Sequence, residues 1–379
     1  MGAMLGRALC ARGFAVAAFA LVGAGSAYQN ANLPLVGVQG LMPSGGFVLE
    51  GTNALWRDVQ AGLLRLTWQQ IKALRQMRQT CDFAVGVGDV YPLALNALFL
   101  RQPFIFIPTA KSDYIRGHYA WEAALMRRTC KMVFPRDLRT TISLANQGVP
   151  VEYQGNLMMD ALNVSGERWG GLAQPVVALL PGSRAPEAYA NTLLLLEATA
   201  CLVADVGAQS APLFLLALAG GLSQTRLAAT ARAQEWHWVA PADDESARGI
   251  CGRLQHASGA AVSIVRGKFG DVLAGATLVI GMSGTGNEQA AGMGLPVVAL
   301  PGVGPQFTRG FALDQQRLLG EAVLLVEAGP LAVAAAVHVL LGDAKQREWM
   351  GQAGRERMGA PGAVQRIVDR ICSLMAPDM

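Results

Sequence analysis

The sequence predicts an α/β protein with two domains of similar size, each built on a parallel β-sheet, that face a common cleft. Short, continuously apolar runs alternate along the chain with helical patterns, which indicates β–α–β units. Runs of Val, Ile and Leu without polar interruption are typical of parallel strands that are buried on both faces. The length of 379 residues fits two domains, at roughly 100–200 residues per domain.

The composition excludes several classes of protein. Hydrophobic residues make up 52% of the chain and charged residues 15%, against about 25% charged residues in an average soluble domain. A disordered chain needs the opposite balance, and the 44 glycines follow no short repeat of the collagen kind. A net charge of +4 is too small to indicate nucleic acid without a clustered basic patch. We therefore expect a globular protein with no nucleic-acid partner.

Two interpretations compete for the N-terminal segment. Arg7 and Arg12, followed by an apolar run over 14–22, imitate a secretory signal. The alternative is a helix from about Ala3 to Ala11, followed by a buried strand over Phe14–Leu21. We favour the helix and strand, because the six scattered cysteines form no CxxC pair and fit a reducing compartment. No uninterrupted apolar run reaches the roughly 20 residues of a spanning helix, so we expect a cytoplasmic protein without a transmembrane segment.

Eight apolar runs have the length and composition of buried strands. They are Phe83–Val87, Phe104–Ile107, Lys131–Phe134, Pro175–Leu180, Pro212–Leu218, Val262–Val265, Thr277–Ile280 and Pro296–Leu300. Many are followed by Gly or Pro, where a strand gives way to a loop. Ligands of open α/β sheets bind beyond the carboxyl ends of the strands, so we expect the functional residues directly after these runs.

A domain boundary is predicted near residues 163–174. Ser165–Gly171 has the composition of a linker, and a second β–α–β series starts at Pro175. The predicted domains are therefore residues 1–165 and 172–360. Residues 361–379 hold a final amphipathic helix, and the sequence leaves open which domain it packs on.

A long helix is predicted over Asn53–Gln79, where apolar residues recur at helical spacing. Arg57, Arg65, Lys72 and Arg78 fall on its other faces. Two interpretations remain. One is a core helix with a solvated basic side, and the other is a contact with a membrane surface or anionic lipid.

The run Leu179–Arg184 follows a predicted strand and precedes a helix. Gly182 lets the backbone approach a ligand closely, and a helix N-terminus offers unpaired N–H groups to a phosphate. Arg184 can add a charge-assisted hydrogen bond. The pattern predicts a phosphate site or, alternatively, an ordinary turn with a solvated arginine.

The run Ile280–Gln289 repeats this arrangement after another predicted strand. Its small Gly, Ser and Thr residues can form an anion-accepting nest. Glu288, which we expect in the first turn of the helix, could accept two ribose hydroxyls or simply stabilise the helix dipole. The run matches neither GxSxG nor GxGxxG, and the chain contains no GxxxxGK[ST]. Any nucleoside diphosphate would therefore be bound without a Walker motif.

Other polar clusters follow the remaining strands. Asp89, within Gly86–Pro92, is either a helix N-cap or a general base. Pro108–Tyr114 and the rigid loop Leu300–Thr308 follow two further strands, and Leu41–Phe47 is a Gly-rich loop. The four histidines have no metal-ligand spacing among themselves or with cysteine, so no metal is expected.

Together these runs resemble the lipid-A-disaccharide synthase-related proteins, distant relatives of lipid-A-disaccharide synthase, a glycosyltransferase of the GT-B type. The resemblance covers Leu41–Phe47, Gly88–Pro92, Pro108–Tyr114, Leu179–Glu187, Gly284–Ala291 and Leu300–Phe307. Each run is a weak signal alone, but their order and spacing are specific. The resemblance implies two Rossmann-like domains with the active site between them. It also implies a UDP-sugar donor on the C-terminal domain, a lipid-linked acceptor at the inner membrane face, and no metal.

The resemblance also implies roles for individual residues. Arg184 and the backbone of Gly182 and Ser183 would contact the donor diphosphate, and Glu288 would hold its ribose. Asp89 matches the position of the synthase's proposed catalytic Asp and would deprotonate an acceptor hydroxyl. The remaining donor-binding residues would be Ser283, Gly284, Thr285, Gln289 and Gln306.

The chain departs from the family pattern at its start. The family opens with a strand and a loop of the type NGHGED, whereas this chain opens at what matches the first helix, Met4–Leu9. We therefore expect the first strand and its loop to be missing, either because the start codon is called too late or because the protein lacks them. Two alternatives to a transferase remain open. The missing loop favours a nucleotide-sugar-binding protein without catalysis, and the scarcity of histidines disfavours a non-hydrolysing UDP-sugar epimerase.

Overall fold

The computed structural model describes residues 1–40, 59–60, 62–171, 174–302, 304, 307–327 and 329–375. The chain divides into two compact units. Unit 1 comprises Met1–Ala161 together with Pro361–Met379, and unit 2 comprises Leu162–Ala360. The C-terminal helix, for which the sequence left the choice open, therefore belongs to unit 1.

Unit 1 is a layered α/β unit. Its helices and strands are α1 (Gly2–Ala11), α2 (Ser26–Gln29), α3 (Leu63–Met77), β1 (Ala84–Gly88), α4 (Val90–Leu95), a π-helical turn (Asn96–Leu100), β2 (Phe104–Pro108), α5 (Ala120–Thr129), β3 (Cys130–Val133), α6 (Leu138–Asn146), a short 3-10 turn (Met159–Ala161) and α15 (Ala363–Met375). The three strands form a parallel sheet in the order β1–β2–β3.

Helices cover the sheet of unit 1 on both faces. Ile105 and Ile107 of β2 pack in one buried cluster with Leu9 of α1 and Ile367 of α15. Phe106 points into a second cluster, which α4, α5 and α6 complete. Continuous burial of β2 on both faces explains why its sequence is apolar without alternation.

The strand predicted over Phe14–Leu21 is wrong, although the helix before it is confirmed as α1. Only an isolated parallel bridge joins Ala18 to Leu35. Ala18 donates to the carbonyl of Pro34 and accepts from the amide of Val36. Pro34 has no N–H to donate, so the ladder cannot continue there.

Unit 2 is built on one large sheet. Its helices and strands are β4 (Val176–Leu180), α7 (Glu187–Val206), β5 (Leu213–Leu218), α8 (Gln224–Ala231), a 3-10 turn (Arg232–Gln234), β6 (His237–Val239), α9 (Asp243–Ala247), β7 (Ile250–Gln255), β8 (Ala261–Arg266), α10 (Phe269–Gly275), β9 (Leu278–Gly281), α11 (Gly284–Gly292), β10 (Val297–Ala299), α12 (Arg309–Leu319), a 3-10 turn (Gly320–Ala322), β11 (Val323–Leu325), α13 (Pro330–Gly342) and α14 (Ala344–Met358). The sheet order is β11–β10–β9–β4–β5–β8–β7–β6.

The five strands predicted in unit 2 are present as β4, β5, β8, β9 and β10, and the structure adds three more. Strands β4, β5, β8, β9, β10 and β11 run parallel, whereas β7 and β6 are antiparallel additions at one end. Sequence reasoning missed β6, β7 and β11. Strands β6 and β11 have only three residues each, and β7 alternates buried and partly exposed positions. None of the three is a continuous apolar run.

Helix α7 explains part of the apolar composition. It is the one helix in the described ranges that is long and apolar enough to cross a membrane, and half of its apolar window is buried inside the structure. It packs against α13 and α8 of the same unit. These contacts are those of a core helix covering a sheet face.

The segment predicted as a linker is anchored to unit 2 by Asp271, in α10. Oδ1 of this buried carboxylate accepts hydrogen bonds from the amides of Ser165, Gly166 and Glu167 at 2.7, 2.8 and 3.1 Å. Its Oδ2 accepts from the Ser165 hydroxyl at 2.9 Å. Burial opposes ionisation of Asp271, but the hydrogen bonds outweigh it and hold the pKa below the usual 3.8. Residues 165–167 are therefore fixed structure.

Candidate functional site

Three neighbouring strands of unit 2 end at the same level. Leu180 of β4 lies opposite Gly281 of β9, and Gly281 lies opposite Ala299 of β10. The amide of Met282 donates to the carbonyl of Leu180 at 2.8 Å. The turns that follow these strands therefore meet at one edge of the sheet, where α/β proteins bind ligands.

The turn after β4 contains the first predicted phosphate motif. Gly182 has φ of 101°, and a Cβ placed on it would lie 3.4 Å from the carbonyl oxygen of Met282. Ser183 and Arg184 are exposed. The buried amide of Asn191 donates to the carbonyl of Pro181 at 3.0 Å and fixes the turn. The chain then enters α7, where the amides of Ala188 and Tyr189 donate to the carbonyls of Arg184 and Pro186 at 2.9 and 3.1 Å.

The turn after β9 contains the second motif. Ser283 is the N-cap of α11, and its hydroxyl accepts from the amide of Gly286 at 3.2 Å. Gly284 and Thr285 are the first two residues of the helix, and Thr285 is exposed. The structure thus brings Ser283–Thr285 beside Gly182. The Ser283 hydroxyl caps the helix through a lone pair and keeps its own proton, so it remains a hydrogen-bond donor beside the amides of Gly284 and Thr285.

Glu288 does not lie in the first turn of its helix as expected. The helix begins at Gly284, directly after the Ser283 cap, so Glu288 is its fifth residue. Both Glu288 and Gln289 are largely buried, at 9% and 6% exposure. A carboxylate one turn into the helix is set back from the N–H groups that open it.

A buried amide pair beneath this turn escaped sequence reasoning. Asn287 donates to the carbonyl of Gly281 at 3.1 Å and to Oε1 of Gln315, in α12, at 2.7 Å. Gln315 in turn donates to the carbonyls of Ser283 and Gly284 at 3.1 and 2.9 Å. A polar residue on the core-facing side of a helix was the available signal, but its partner lies in another element.

The loop after β10 lies against both turns. A Cβ on Gly302 would lie 2.7 Å from Oδ1 of Asn191 and 3.0 Å from the Met282 side chain. The Gly302 amide donates to the carbonyl of Phe307 at 2.8 Å, which closes the loop. Gln306 and the Gly-rich loop Leu41–Phe47 lie outside the described residues.

Glu187, the first residue of α7, has a notable environment. A Cβ on Gly304 would lie 2.7 Å from the Glu187 side chain. Its Oε2 is buried and has no hydrogen-bond partner within the described part of the chain. Sequence reasoning did not single out this carboxylate, which lies beside the three turns.

Asp89 lies at the corresponding edge of the sheet in unit 1. It follows β1 and caps α4, and its Oδ1 accepts from the amide of Val90 at 2.6 Å. The side chain is exposed. The N-cap interpretation describes this geometry, and a role for Asp89 as a general base stays a prediction.

The loop after β2 contains a charged cluster that sequence reasoning did not identify. Glu122 is 1% exposed, and its carboxylate contacts Nζ of Lys111 at 2.6 Å and Nδ1 of His118 at 3.0 Å. The Lys111 ammonium also lies 4.2 Å from the ring centroid of Tyr119. Among the residues that the structure describes, Nε2 of His118 is buried without a hydrogen-bond partner. Burial lowers the pKa of His118 below 6.5, although Glu122 opposes this.

No group of three or more His, Cys, Asp or Glu side chains with metal-binding geometry occurs among the described residues.

Comparison with solved structures shows the fold. The calicheamicin glycosyltransferase CalG4 matches with a TM-score of 0.60 at 15% identity, over 99% of this chain and 95% of that one. A Listeria monocytogenes protein assigned as a UDP-N-acetylglucosamine 2-epimerase also has a TM-score of 0.60, at 14% identity over 98% and 92% of the two chains. S. aureus MnaA, solved with UDP, matches with a TM-score of 0.52 at 13% identity, over 98% of this chain and 92% of that one.

These comparisons define the class of the protein by its fold. The chain has an α/β fold of the GT-B class, with two Rossmann-like units built on parallel sheets. No protein-family model matches the chain, and no curated protein sequence matches it. A relationship to lipid-A-disaccharide synthase in particular stays a prediction from the sequence motifs.

Proposed function

We propose that this protein is a glycosyltransferase that moves a sugar, of the N-acetylglucosamine type, from a UDP donor to a lipid-linked acceptor. The carrying observation is the meeting of three turns at the ends of β9, β4 and β10, where Leu180, Gly281 and Ala299 lie in register. Two of these turns open helices, so backbone N–H groups and positive helix ends face the same edge. Solved structures of this fold include proteins bound to UDP and to UDP-GlcNAc.

In this proposal unit 2 binds the donor. The amides of Gly182, Ser183 and Gly284 contact the diphosphate, and Arg184 adds a charge-assisted hydrogen bond. Glu288 accepts hydrogen bonds from the ribose hydroxyls. The remaining donor contacts are Ser283, Thr285, Gln289 and Gln306.

The reaction is a nucleophilic substitution at the anomeric carbon of the donor sugar. Asp89 takes the proton of an acceptor hydroxyl, whose oxygen forms the new bond to the anomeric carbon. The bond from that carbon to the β-phosphate oxygen breaks, and UDP leaves with the electron pair. Arg184 and the helix N-termini stabilise the charge that develops on UDP. We further propose a cytoplasmic location at the inner membrane face, where a lipid-linked acceptor is available.

Calorimetric titration with UDP and UDP-GlcNAc tests the donor site. Arg184→Ala and Glu288→Ala are expected to weaken UDP binding at least tenfold, since each removes a charged hydrogen bond of about 1.5–3 kcal/mol. Arg232→Ala, an exposed arginine of the same unit, serves as the matched control. Unchanged UDP affinity in both variants would refute the donor-site assignment. With an acceptor in hand, full transfer by Asp89→Asn would show that Asp89 is not the base.

An epimerase is the second candidate, because the assigned 2-epimerase and CalG4 match this chain equally well by TM-score. The two activities separate cleanly. An epimerase converts UDP-GlcNAc to its C2 epimer without any acceptor, whereas a transferase releases UDP only as it glycosylates one. Incubation with UDP-GlcNAc alone, followed by NMR of the anomeric protons, distinguishes them. Binding without either reaction would identify a nucleotide-sugar-binding protein.

A further inference from the structure

The outer face of α3 carries large apolar side chains that the described part of the chain leaves uncovered. Leu64 is 69% exposed and Trp68 is 64% exposed. The opposite face of α3 packs on the core of unit 1 through the buried residues Leu66, Gln70 and Leu74. A helix of a globular unit normally places polar residues on its solvent face. This helix therefore has a second apolar strip that needs its own explanation.

Leu98 lies in the π-helical turn that contacts α3. Its side chain is 59% exposed. Leu98 and Phe99 line a shallow pocket together with cations of α3 and of the turn. The exposed leucine therefore adjoins the basic groups, and apolar and charged side chains share one surface.

Four cations border the apolar residues. Lys72 lies 5.8 Å from the ring centroid of Trp68, and Arg75 lies 5.3 Å from that of Phe99. Arg75, Arg78 and Arg101 line the shallow pocket. Neither α3 nor the segment 90–102 contains an acidic residue. The charge here is local, because the whole chain carries only +4.

An apolar group and a basic group together form what we call the α3 surface. The apolar group is Leu64, Trp68 and Leu98, and the basic group is Lys72, Arg75, Arg78 and Arg101. We propose that the α3 surface docks on an anionic phospholipid membrane. Tryptophan partitions to the membrane interface and leucine inserts below the headgroups. Lys and Arg at the surface attract lipid phosphates, each strengthening binding about fivefold.

The side-chain chemistry favours lipid over single-stranded nucleic acid. A nucleic-acid groove combines cations with several aromatic rings on which bases stack. Here the exposed apolar residues are one tryptophan and two leucines, and aliphatic side chains neither stack on bases nor bind phosphate. Both leucines insert readily into a lipid interface. The α3 surface would supply the membrane contact that the proposed function requires. Membrane binding by this surface can be tested without any UDP donor.

Vesicle sedimentation of the full chain tests the proposal. The protein is expected to bind phosphatidylcholine vesicles that contain phosphatidylglycerol, to bind pure phosphatidylcholine weakly, and to dissociate from the former at high salt. The double variant Lys72→Glu with Arg75→Glu is expected to bind at least 25-fold more weakly, about fivefold for each lost cation. Its control is Arg232→Glu with Lys345→Glu, two exposed cations of unit 2 that give the same change in net charge.

The apolar group is tested separately. Trp68→Ser with Leu64→Ser is expected to weaken vesicle binding at least tenfold. The control, Trp349→Ser with Leu331→Ser, replaces the same residue types at positions 50% and 72% exposed in unit 2 and is expected to leave binding unchanged. Thermal unfolding confirms that all variants fold.

Several results would overturn the proposal. One is equal loss of binding in a double variant and its control, and another is no binding of the wild type to anionic vesicles. Binding of single-stranded DNA without vesicle binding would assign the surface to nucleic acid instead. Displacement by inorganic phosphate, with Trp68 and Leu64 dispensable, would identify a soluble phosphate ligand. UDP titration of Lys72→Glu with Arg75→Glu keeps the two proposals apart, because vesicle binding and donor binding can fail independently.

Discussion

Nδ1 of His118 lies 3.0 Å from Oε2 of Glu122, and both side chains are nearly excluded from solvent. Glu122 also holds Lys111 and accepts from the Tyr119 amide at 3.1 Å, so its carboxylate has three hydrogen-bonding partners. A carboxylate accepts hydrogen bonds, which makes Nδ1 the protonated nitrogen and leaves Nε2 as an acceptor. Burial lowers the pKa of His118 below 6.5, so the imidazole is neutral at neutral pH, and its environment links the stability of unit 1 to pH.

Acidification is expected to destabilise the protein through His118. Its pKa in the folded state lies below 6.5 because of burial, while Glu122 and Asp113 raise it and Lys111 lowers it further. The unfolded chain therefore binds the proton first, and stability present above pH 6.5 is lost as pH falls below that value. The slope is at most about 1.4 kcal/mol per pH unit for this one group. Urea unfolding of wild type and His118→Gln between neutral and mildly acidic pH measures it. Parallel profiles for the two proteins would contradict the expectation.

Asp271→Asn is expected to loosen the segment that joins β4 to the preceding chain. The substitution turns an acceptor of four hydrogen bonds into a side chain with one acceptor atom, and it places an amide donor against the N–H groups of residues 165–167. We expect a loss on the order of 2 kcal/mol at neutral pH.

The difference between wild type and Asp271→Asn should shrink in acid. The folded pKa of Asp271 is lowered, so its stabilisation is present above pH 3.8 and is lost as pH falls through the lower folded value. Denaturant unfolding at neutral and acidic pH, with hydrogen exchange of residues 165–167, checks both parts. Unchanged exchange at neutral pH would show that Asp271 does not hold the segment.

Gln315→Leu is expected to disturb the turn that opens α11. The substitution removes one of the two hydrogen bonds that the carbonyls of Ser283 and Gly284 accept, since both also accept within the helix. It leaves one N–H of Asn287 without its partner, which costs about 1–3 kcal/mol. Gln316→Leu is the matched control, because the Gln316 amide makes only a 3.5 Å contact with the carbonyl of Val323. Chemical denaturation measures the free energy of unfolding, and UDP titration measures whether the disturbed turn weakens the affinity for UDP. Equal effects of the two substitutions would exclude a special role for Gln315.

Gly354→Ala is expected to separate α14 from α11. A Cβ on Gly354 would lie 2.2 Å from the carbonyl oxygen of Ala291, which is backbone and cannot turn aside. The clash outweighs the roughly 1 kcal/mol by which alanine favours a helix over glycine, and we expect a net loss of about 1–3 kcal/mol. Gly342→Ala, at a helical glycine with open space around it, should be neutral or stabilising. Thermal unfolding of both variants compares them directly, and similar melting temperatures would refute the close-packing explanation.

The sequence by itself determined the strands that are buried on both faces and the turns that follow them. Val176–Leu180 and Leu278–Gly281 are fully buried, so each run had to be apolar at every position and was recognisable without any neighbour. Glycine at position 182 was equally readable, since few other residues adopt its positive φ.

Only the tertiary structure decided which of these turns meet. The placement of β9 between β4 and β10 brings Gly182 beside Met282, although nothing local in either run specifies the other. The same holds for Asn287 with Gln315, and for Asp271 with Ser165. Each is a polar pair between elements distant in the chain. Local propensity and hydrophobic period describe one segment at a time, whereas a buried hydrogen bond depends on the register and packing of two.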